Sequence, residues 1–390
     1  MITLEEILTA CPNLISLTVT QYGDGVIADL PSATWPNISA LSIELTEPDP
    51  CITRDEIIHL CDHFPSLKEL HLDPCVDIES VLIIPQRFPL MTSVELEIFL
   101  THVGVTYKSS GYQELSMTKL SVTIQHWQED DDLVDMIPIL RQHHETLEDI
   151  QWNIYPERDY GGLAHIQYPS LKKLSLSSSG SFILHNAPML EELKMSSTAI
   201  NADTRMLDTI PPRLKILEFD FDDGQELNDE KAIERYLHRI SHQCLLQDLT
   251  IGLIDVDTSG NVLNAICGLR TLQRVVVGFA EVRKPYQMER FLEGLVHGCP
   301  HLLCLEIDCM IAPSTYSIDT LKRLERLKHF AFSINDTCGY DSFWRAIGTF
   351  TQLKRIHVYP ENEVNQLEIE RLKQQRPDMK IIVDDKFARY

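Results

Sequence analysis

The side chains with the greatest potential for chemistry form a group late in the chain: His297, Cys299, His301, Cys304 and Cys309. Imidazole and thiolate are ligands that zinc prefers, so this group is the best candidate for a metal site. The CxxC pair typical of a structural zinc site is missing, and Cys304 alternates with Leu305 along a predicted strand. We therefore predict a structural role for the group, with no metal and no cofactor.

Catalytic motifs are absent from the sequence. It contains no GxSxG, GxGxxG, GxxxxGK[ST] or HExxH pattern, which are the usual frames of a nucleophile elbow, a dinucleotide site, a phosphate loop and a zinc protease. The remaining candidate base lies in His143-His144-Glu145. This triplet ends a predicted helix, where the helix dipole favours histidine without any catalytic role. We predict that the protein is not an enzyme.

The segment Tyr168–Leu176, YPSLKKLSL, shows the frame that positions all other residues. We call the first apolar residue of each such repeat its anchor, and successive anchors are about 26 residues apart, as in leucine-rich repeats. Fifteen anchors follow this frame: Leu14, Ile38, Leu67, Met91, Met117, Leu147, Leu171, Leu190, Leu214, Leu246, Leu272, Leu302, Leu327, Leu353 and Met379.

Proline lies two residues before nine of these anchors. Because proline lacks an N–H group and disfavours helix at the preceding residue, each one is expected to end a segment and start a strand. After the anchor Leu67, residues Leu70 and Leu72 are two apart, so they face one side of a strand. A single repeat cannot bury this side, and neighbouring repeats must therefore stack into a parallel sheet.

The segments between strands favour helices. The best examples are a capping box from Thr53 to Glu56 and the amphipathic stretch from Asn228 to His242. Other helices are predicted at Asp132–His143, Gly260–Cys267, Gln287–His297, Ser317–Leu324, Asp341–Phe350 and Glu363–Gln375. The gap from Leu171 to Leu190 is too short for a helix, and we expect strand and turn there. Loops are predicted at Tyr155–Gly162 and Asp220–Asp229.

The predicted fold class is thus α/β: a leucine-rich repeat solenoid, or horseshoe, with a parallel sheet on the concave face and mostly helical convex segments. We expect one solenoid over residues 1–390, with a helical cap at 1–13 and a helix–strand cap at 361–390.

The leucine motifs, their helical connections and the Cys-Pro-x-Leu entries at Cys11–Leu14 and Cys299–Leu302 resemble the leucine-rich repeat arm of F-box proteins. The cysteine or asparagine that this family places eight residues after the anchor is matched by Cys75 and Asn335. This resemblance implies the substrate-recognition arm of an SCF ubiquitin ligase, which acts in protein degradation. An F-box is not recognisable and Leu14 leaves no room for one, so docking on the SCF adaptor is expected only if an F-box lies upstream. The alternative is a ligase-independent scaffold or inhibitor that occludes its partner.

Charge and cysteine usage limit the partners and the compartment. The net charge of −24 disfavours a nucleic acid or an anionic membrane and favours a protein partner with basic segments. No apolar run is long enough to span a bilayer, and ten cysteines lack paired spacing. We therefore expect a cytoplasmic or nuclear protein.

The candidate binding site is the inner face, which we define as the positions two, four and six residues after each anchor. These positions hold thirteen acidic and five basic residues, a net charge of about −8. The overall acidity of the chain explains part of this excess. The predicted partner-binding residues are Glu69, His71, Asp73, Glu95, Glu97, Glu218, Asp220, Asp248, Glu306 and Asp308. The acidic run Glu129–Asp132 lies off this face and is typical of a solvated helix start.

Overall fold

The structure is a computed structural model that describes residues 4–21, 33–45, 54–73, 93–96, 102–109, 115–124, 137–154, 163–221, 229–255, 260–281, 285–308, 314–334, 341–360 and 366–383. These residues contain sixteen strands. The strands are β1 Ser16–Gln21, β2 Ala40–Leu45, β3 Glu69–Asp73, β4 Ser93–Leu96, β5 His102–Ser109, β6 Leu115–Ile124, β7 Asp149–Ile154, β8 Lys173–Leu176, β9 Glu192–Ser196, β10 Ile216–Asp220, β11 Asp248–Asp255, β12 Arg274–Glu281, β13 Cys304–Asp308, β14 His329–Ile334, β15 Arg355–Pro360 and β16 Lys380–Val383.

Helices connect many of these strands. They are α1 Leu4–Ala10, α2 Arg54–His63, α3 Ile137–His143, α4 Ser181–Leu184, α5 Ser197–Ala202, α6 Glu230–Gln243, α7 Gly260–Cys267, α8 Pro285–Gly298, α9 Thr315–Leu321, α10 Asp341–Gly348 and α11 Gln366–Gln375, with a short 3-10 helix at Thr204–Asp208. No described helix is both long enough and apolar enough to cross a membrane.

The chain divides into two compact units, Met1–Met189 and Leu190–Tyr390. In the first unit, β1 to β4 pair in parallel, and so do β6, β7 and β8. In the second unit, all pairs from β9 to β16 are parallel. Each unit is an α/β leucine-rich repeat structure, which confirms the predicted fold class. That the units form one solenoid stays a prediction.

The expectation of about fifteen strands, all parallel, needs one correction. Each anchor but Met117, which lies within β6, is followed by a strand, and β5 is an additional strand that pairs antiparallel with both β4 and β6. Its sequence, HVGVTYKS, alternates β-branched and polar residues without an LxxLxL frame. A search for anchors alone therefore missed it, although its composition favours a strand.

The segment between Leu171 and Leu190 also differs from the prediction of strand and turn. It holds one helical turn, α4, which begins after Gly180 and buries Ile183 and Leu184. A four-residue turn rises only about 6 Å, so it fits a gap that excludes a longer helix. The Thr53 capping box and the two predicted loops lie mostly or wholly outside the described residues.

Within the described residues, prolines before the anchors lie in β-turns. Leu67 N donates to Phe64 O at 3.1 Å and Leu302 N to Cys299 O at 3.2 Å, which closes four-residue turns with Pro65 and Pro300 in second place. Proline is favoured there because its fixed φ matches the turn and its missing N–H group is not needed. The prolines thus reverse the chain as well as end the preceding segment.

Alternation along the strands separates the core from the inner face. In β10, Leu217 and Phe219 have no exposed surface, whereas Ile216, Glu218 and Asp220 are at least partly exposed. Since side chains alternate between the two faces of a sheet, the leucine row packs into the core while the positions between remain accessible. The same pattern places Leu174 of β8 in the core, where it is 2% exposed.

Arg376 closes the last turn of the second unit. This residue is 8% exposed, and its guanidinium donates to Phe350 O at 2.8 Å and Leu353 O at 2.9 Å. It also donates to both carboxylate oxygens of Asp378. Phe350 O also accepts from Leu353 N at 3.2 Å, so Arg376 adds side-chain donors to the carbonyls of the preceding turn.

We expect Leu174→Asp to destabilise the first unit by roughly 4 kcal/mol or more, because it introduces a carboxylate among apolar neighbours without a partner. Lys173→Ser at the adjacent exposed position is the control and should change the free energy of unfolding by less than about 0.5 kcal/mol. Chemical denaturation measures both variants. An unchanged transition for Leu174→Asp would contradict the assigned register.

We expect Arg376→Met to lower the stability of the second unit by roughly 2–3 kcal/mol, because buried carbonyls lose charged hydrogen-bond donors. Lys354→Met removes an exposed partner of Asp378. In the wild-type chain, Lys354 Nζ lies 3.1 Å from the Asp378 carboxylate. That control should change stability by no more than about 1 kcal/mol. Equal effects of the two variants in denaturant titrations would show that the buried contacts of Arg376 are unimportant.

Candidate functional site

In the first unit, the predicted inner-face site is carried by β3 and β4. Glu69 is exposed at the start of β3, and His71 is half-buried two residues later. Asp73 ends β3 and Glu95 lies within β4, whereas Glu97 lies outside the described residues. His71 and Glu95 occupy paired positions on adjacent strands. The register therefore places these inner-face positions on adjacent strands. That they bind a partner stays a prediction.

In the second unit, one basic inner-face residue forms ion pairs with two of the predicted acidic residues. We call this group the Lys194 array. Lys194 Nζ lies 2.8 Å from Glu218 Oε1 and 3.1 Å from Asp220 Oδ2. Lys194 and Glu218 are register partners on β9 and β10. Partial burial alone would lower the pKa of Lys194, but its bonds to Glu218 and Asp220 outweigh this effect and raise it.

A second group, the Arg274 array, joins three adjacent strands. Arg274 on β12 lies 3.2 Å from Asp248 Oδ1 on β11 and 3.1 Å from Glu306 Oε1 on β13. Burial raises the pKa of Asp248 even though Arg274 opposes that shift. Glu306 is the most enclosed member, with a side chain only 8% exposed.

Each array contains two carboxylates and one cation, so each keeps a net charge of about −1. The predicted acidic residues Glu218, Asp220 and Asp248 are thus already ion-paired within the chain. A basic partner would share these carboxylates with Lys194 or Arg274 and would not meet unpaired charges. Asp308 ends β13 and is half-buried at an inner-face position. Binding of a partner to these residues stays a prediction.

Beside the Arg274 array lies a group of side chains that the sequence analysis did not bring together. Cys304 and Glu306 are two residues apart on β13, and His329 is the register partner of Cys304 on β14. Cys304 Sγ lies 3.2 Å from His329 Nδ1 and 3.5 Å from Glu306 Oε1. Among the described residues, these three form the one group whose side chains could hold a metal ion.

Cys304 and His329 each lie two residues after an anchor, Leu302 and Leu327 respectively, and this shared position is the sequence signal that pairs them. The predicted group of Cys304 with its sequence neighbours His297, Cys299 and His301 is separated in the structure. Cys299 is buried with its thiol near Leu269 O, at 3.5 Å. His297 Nδ1 contacts Glu293 O at 2.7 Å, and His301 Nδ1 lies 3.1 Å from Arg326. Cys309 lies outside the described residues.

A cysteine beside a histidine is also the arrangement of a thiol nucleophile. Burial, followed by the charge of Glu306, raises the pKa of Cys304 to about 12. Burial also lowers the pKa of His329. The pair therefore holds a neutral thiol near pH 7, whereas nucleophilic cysteines have a lowered pKa. This environment argues against nucleophilic catalysis.

The His143-His144-Glu145 triplet shows no catalytic geometry. His143 is 5% exposed, and burial lowers its pKa to about 4, so it is neutral at pH 7. His144 Nδ1 lies 2.8 Å from the backbone oxygen of Gln167. Both histidines therefore fit structural positions at the end of α3. The Glu129–Asp132 run lies outside the described residues.

No family model matches this chain, and no curated protein matches it in sequence. Among solved structures, 33 chains match. One is the crystal structure of a TLR13–ssRNA13 complex, with 12% sequence identity and a TM-score of 0.41. The match covers 94% of this chain and 51% of that chain, so this chain spans about half the length of its structural neighbour.

Proposed function

We propose that this protein is a protein-interaction scaffold that holds a basic segment of its partner across the inner face. The observation that carries the proposal is the pair of ion-paired arrays in the second unit, where four carboxylates surround two cations. Polar groups at these positions are not needed by the core, which the alternate residues fill. Glu218, Asp220 and Asp248 are partly exposed and therefore remain available for recognition, whereas Glu306 is enclosed.

Ion pairing within the arrays is compatible with a basic partner. A carboxylate has about four lone-pair positions, so it can accept bonds from Lys194 or Arg274 and from a partner at the same time. The residual charge of each array favours approach of cations and disfavours anions. Electrostatic complementarity of this kind acts mainly on association rate and specificity.

For the biological role, we propose the substrate-recognition arm of an F-box-type SCF ubiquitin ligase. Support comes from the resemblance of the leucine motifs and the Cys-Pro-x-Leu entries to that family. Purification through a tag at the C-terminus of the native gene product tests this role. Recovery of the SCF adaptor, with partner levels that rise on proteasome inhibition, supports it. Recovery of a partner without the adaptor would favour the ligase-independent scaffold or inhibitor.

We expect reversal of three acidic inner-face residues, E69K/E95K/E97K, to weaken binding of a fluorescent oligolysine peptide and to flatten its salt dependence. Each exposed pair contributes only about 0–1 kcal/mol, so a single reversal is expected to have little effect. Fluorescence anisotropy at several salt concentrations measures this change, and an oligoglutamate peptide serves as the negative probe.

The matched control is D130K/D131K/D132K, which alters the net charge by the same amount in the acidic run off the inner face. It should bind oligolysine more tightly than E69K/E95K/E97K does. If the control loses more affinity than the inner-face variant, the binding site lies in the acidic run and the proposed inner-face site is wrong.

A second test uses the internal competition in the Lys194 array. Lys194→Met releases Glu218 and Asp220 from their internal partner, so we expect oligolysine to bind roughly two- to fivefold more tightly at low salt. Lys215→Met is the control, because Lys215 forms a similar pair with Glu191 at 2.9 Å but lies one residue after its anchor, off the inner face. Equal gains in the two variants would indicate nonspecific attraction.

A further inference from the structure

Three adjacent strands of the second unit bring possible metal ligands and one arginine together on the inner face. Arg274, Cys304 and His329 occupy paired positions on β12, β13 and β14. Glu306 follows Cys304 on the same side of β13, and its register partner Ala331 is fully buried.

We propose that Cys304 Sγ, His329 Nδ1 and the Glu306 carboxylate bind one divalent transition-metal ion, with zinc preferred. The ligand atoms of all three residues lie within 4.8 Å of one another. The sulfur lies 3.2 Å from the imidazole nitrogen and 3.5 Å from the carboxylate oxygen. In a tetrahedral zinc site, bonds of about 2.3 Å to sulfur and 2.0–2.2 Å to nitrogen or oxygen give ligand separations of about 3.5 Å. Small side-chain movements therefore suffice to bind the ion.

The ligand types select the class of metal. Thiolate and imidazole are ligands of zinc and its neighbours in the first transition series, whereas magnesium and calcium prefer sites made of oxygen atoms. Three protein ligands leave the fourth tetrahedral position for water or for a group of a bound partner. The site therefore resembles an open zinc site in its ligand number.

Local charge also fits a divalent ion. Glu306 and Asp248 contribute two negative charges and Arg274 contributes one positive charge, so the surroundings sum to −1 before the metal binds. A metal ion that displaces the proton of the Cys304 thiol adds a third negative charge, and the ligands and their neighbours then sum to −2 around the ion. Arg274 donates to Glu306 Oε1 from Nε at 3.3 Å and from Nη2 at 3.1 Å. A hydrogen bond from outside the coordination sphere orients a metal-binding carboxylate in this way.

Burial is the second line of support. The Glu306 side chain is only 8% exposed, and Cys304 and His329 beside it are half-buried. A histidine with Nδ1 directed at a thiol and its proton on Nε2 presents the lone pair that a metal needs. A bound cation would offset the cost of enclosing these polar groups.

The test uses the full chain, stripped with a chelator and then titrated with Co²⁺ as a spectroscopic probe and with Zn²⁺ in calorimetry. We expect one equivalent of Co²⁺ to give thiolate charge-transfer absorption together with the visible bands of tetrahedral cobalt. Zn²⁺ should displace the cobalt and raise the melting temperature.

Variants separate the proposed site from other cysteines and histidines. Cys304→Ser and His329→Gln should each weaken Zn²⁺ binding by more than about tenfold, and Cys304→Ser should also abolish the cobalt–thiolate absorption. Cys244→Ser and His301→Gln, which alter residues outside the site, should leave both signals unchanged. Circular dichroism checks folding of every variant, and if Cys304→Ser fails to fold, His329→Gln decides.

Two results would overturn the proposal. One is a wild-type chain that shows no thiolate–cobalt absorption at one equivalent of metal. The other is a thiolate–cobalt absorption that survives in a folded Cys304→Ser variant, or a Zn²⁺ affinity that is unchanged in a folded His329→Gln variant, since the metal would then be held by other residues. Neither result bears on peptide binding by the inner face, so the proposed scaffold function is tested independently.

Discussion

Stacking of repeats through the backbone is the interaction on which the rest of each unit depends. In the second unit, the carbonyl of the residue after one anchor accepts two N–H groups from the next repeat, as Lys215 O does from Gln247 at 2.8 Å and Asp248 at 3.0 Å. The same pattern joins Gln247 to Gln273, Gln273 to Leu303 and Leu303 to Lys328. This fixed register aligns the leucine rows, which no single repeat can bury. It also aligns the inner-face rows.

Register determines the electrostatics of the inner face. Because Lys194 and Glu218 are aligned across strands, their charges meet at 2.8 Å, and the second carboxylate, Asp220, lies within reach of the same ammonium. Cross-strand pairs of this type contribute modestly to stability. Their larger effect is on binding, because any cationic partner competes with a cation that the chain itself supplies.

The sequence predicted the features that depend on local periodicity. The anchors, the strands that follow them and the capped helix after Asp229, whose side chain accepts from Ala232 N at 3.2 Å, all follow from patterns within a few residues. It missed β5, which lacks the repeat frame, and α4, whose single turn needs only a short gap. It also missed the ion-paired arrays and the Cys304–His329 contact. Those contacts join residues about 25 positions apart, and only the alignment of successive repeats brings them together.

The antiparallel strand β5 has a consequence for the order of folding. Strands β5 and β6 are separated only by residues 110–114, whereas parallel neighbours such as β10 and β11 are separated by an intervening helix and its loops. Closing a short loop costs less chain entropy, and hairpins form within microseconds. The β5–β6 hairpin is thus expected to form before the parallel pairs of its unit and to give β4 and β7 an edge on which to assemble.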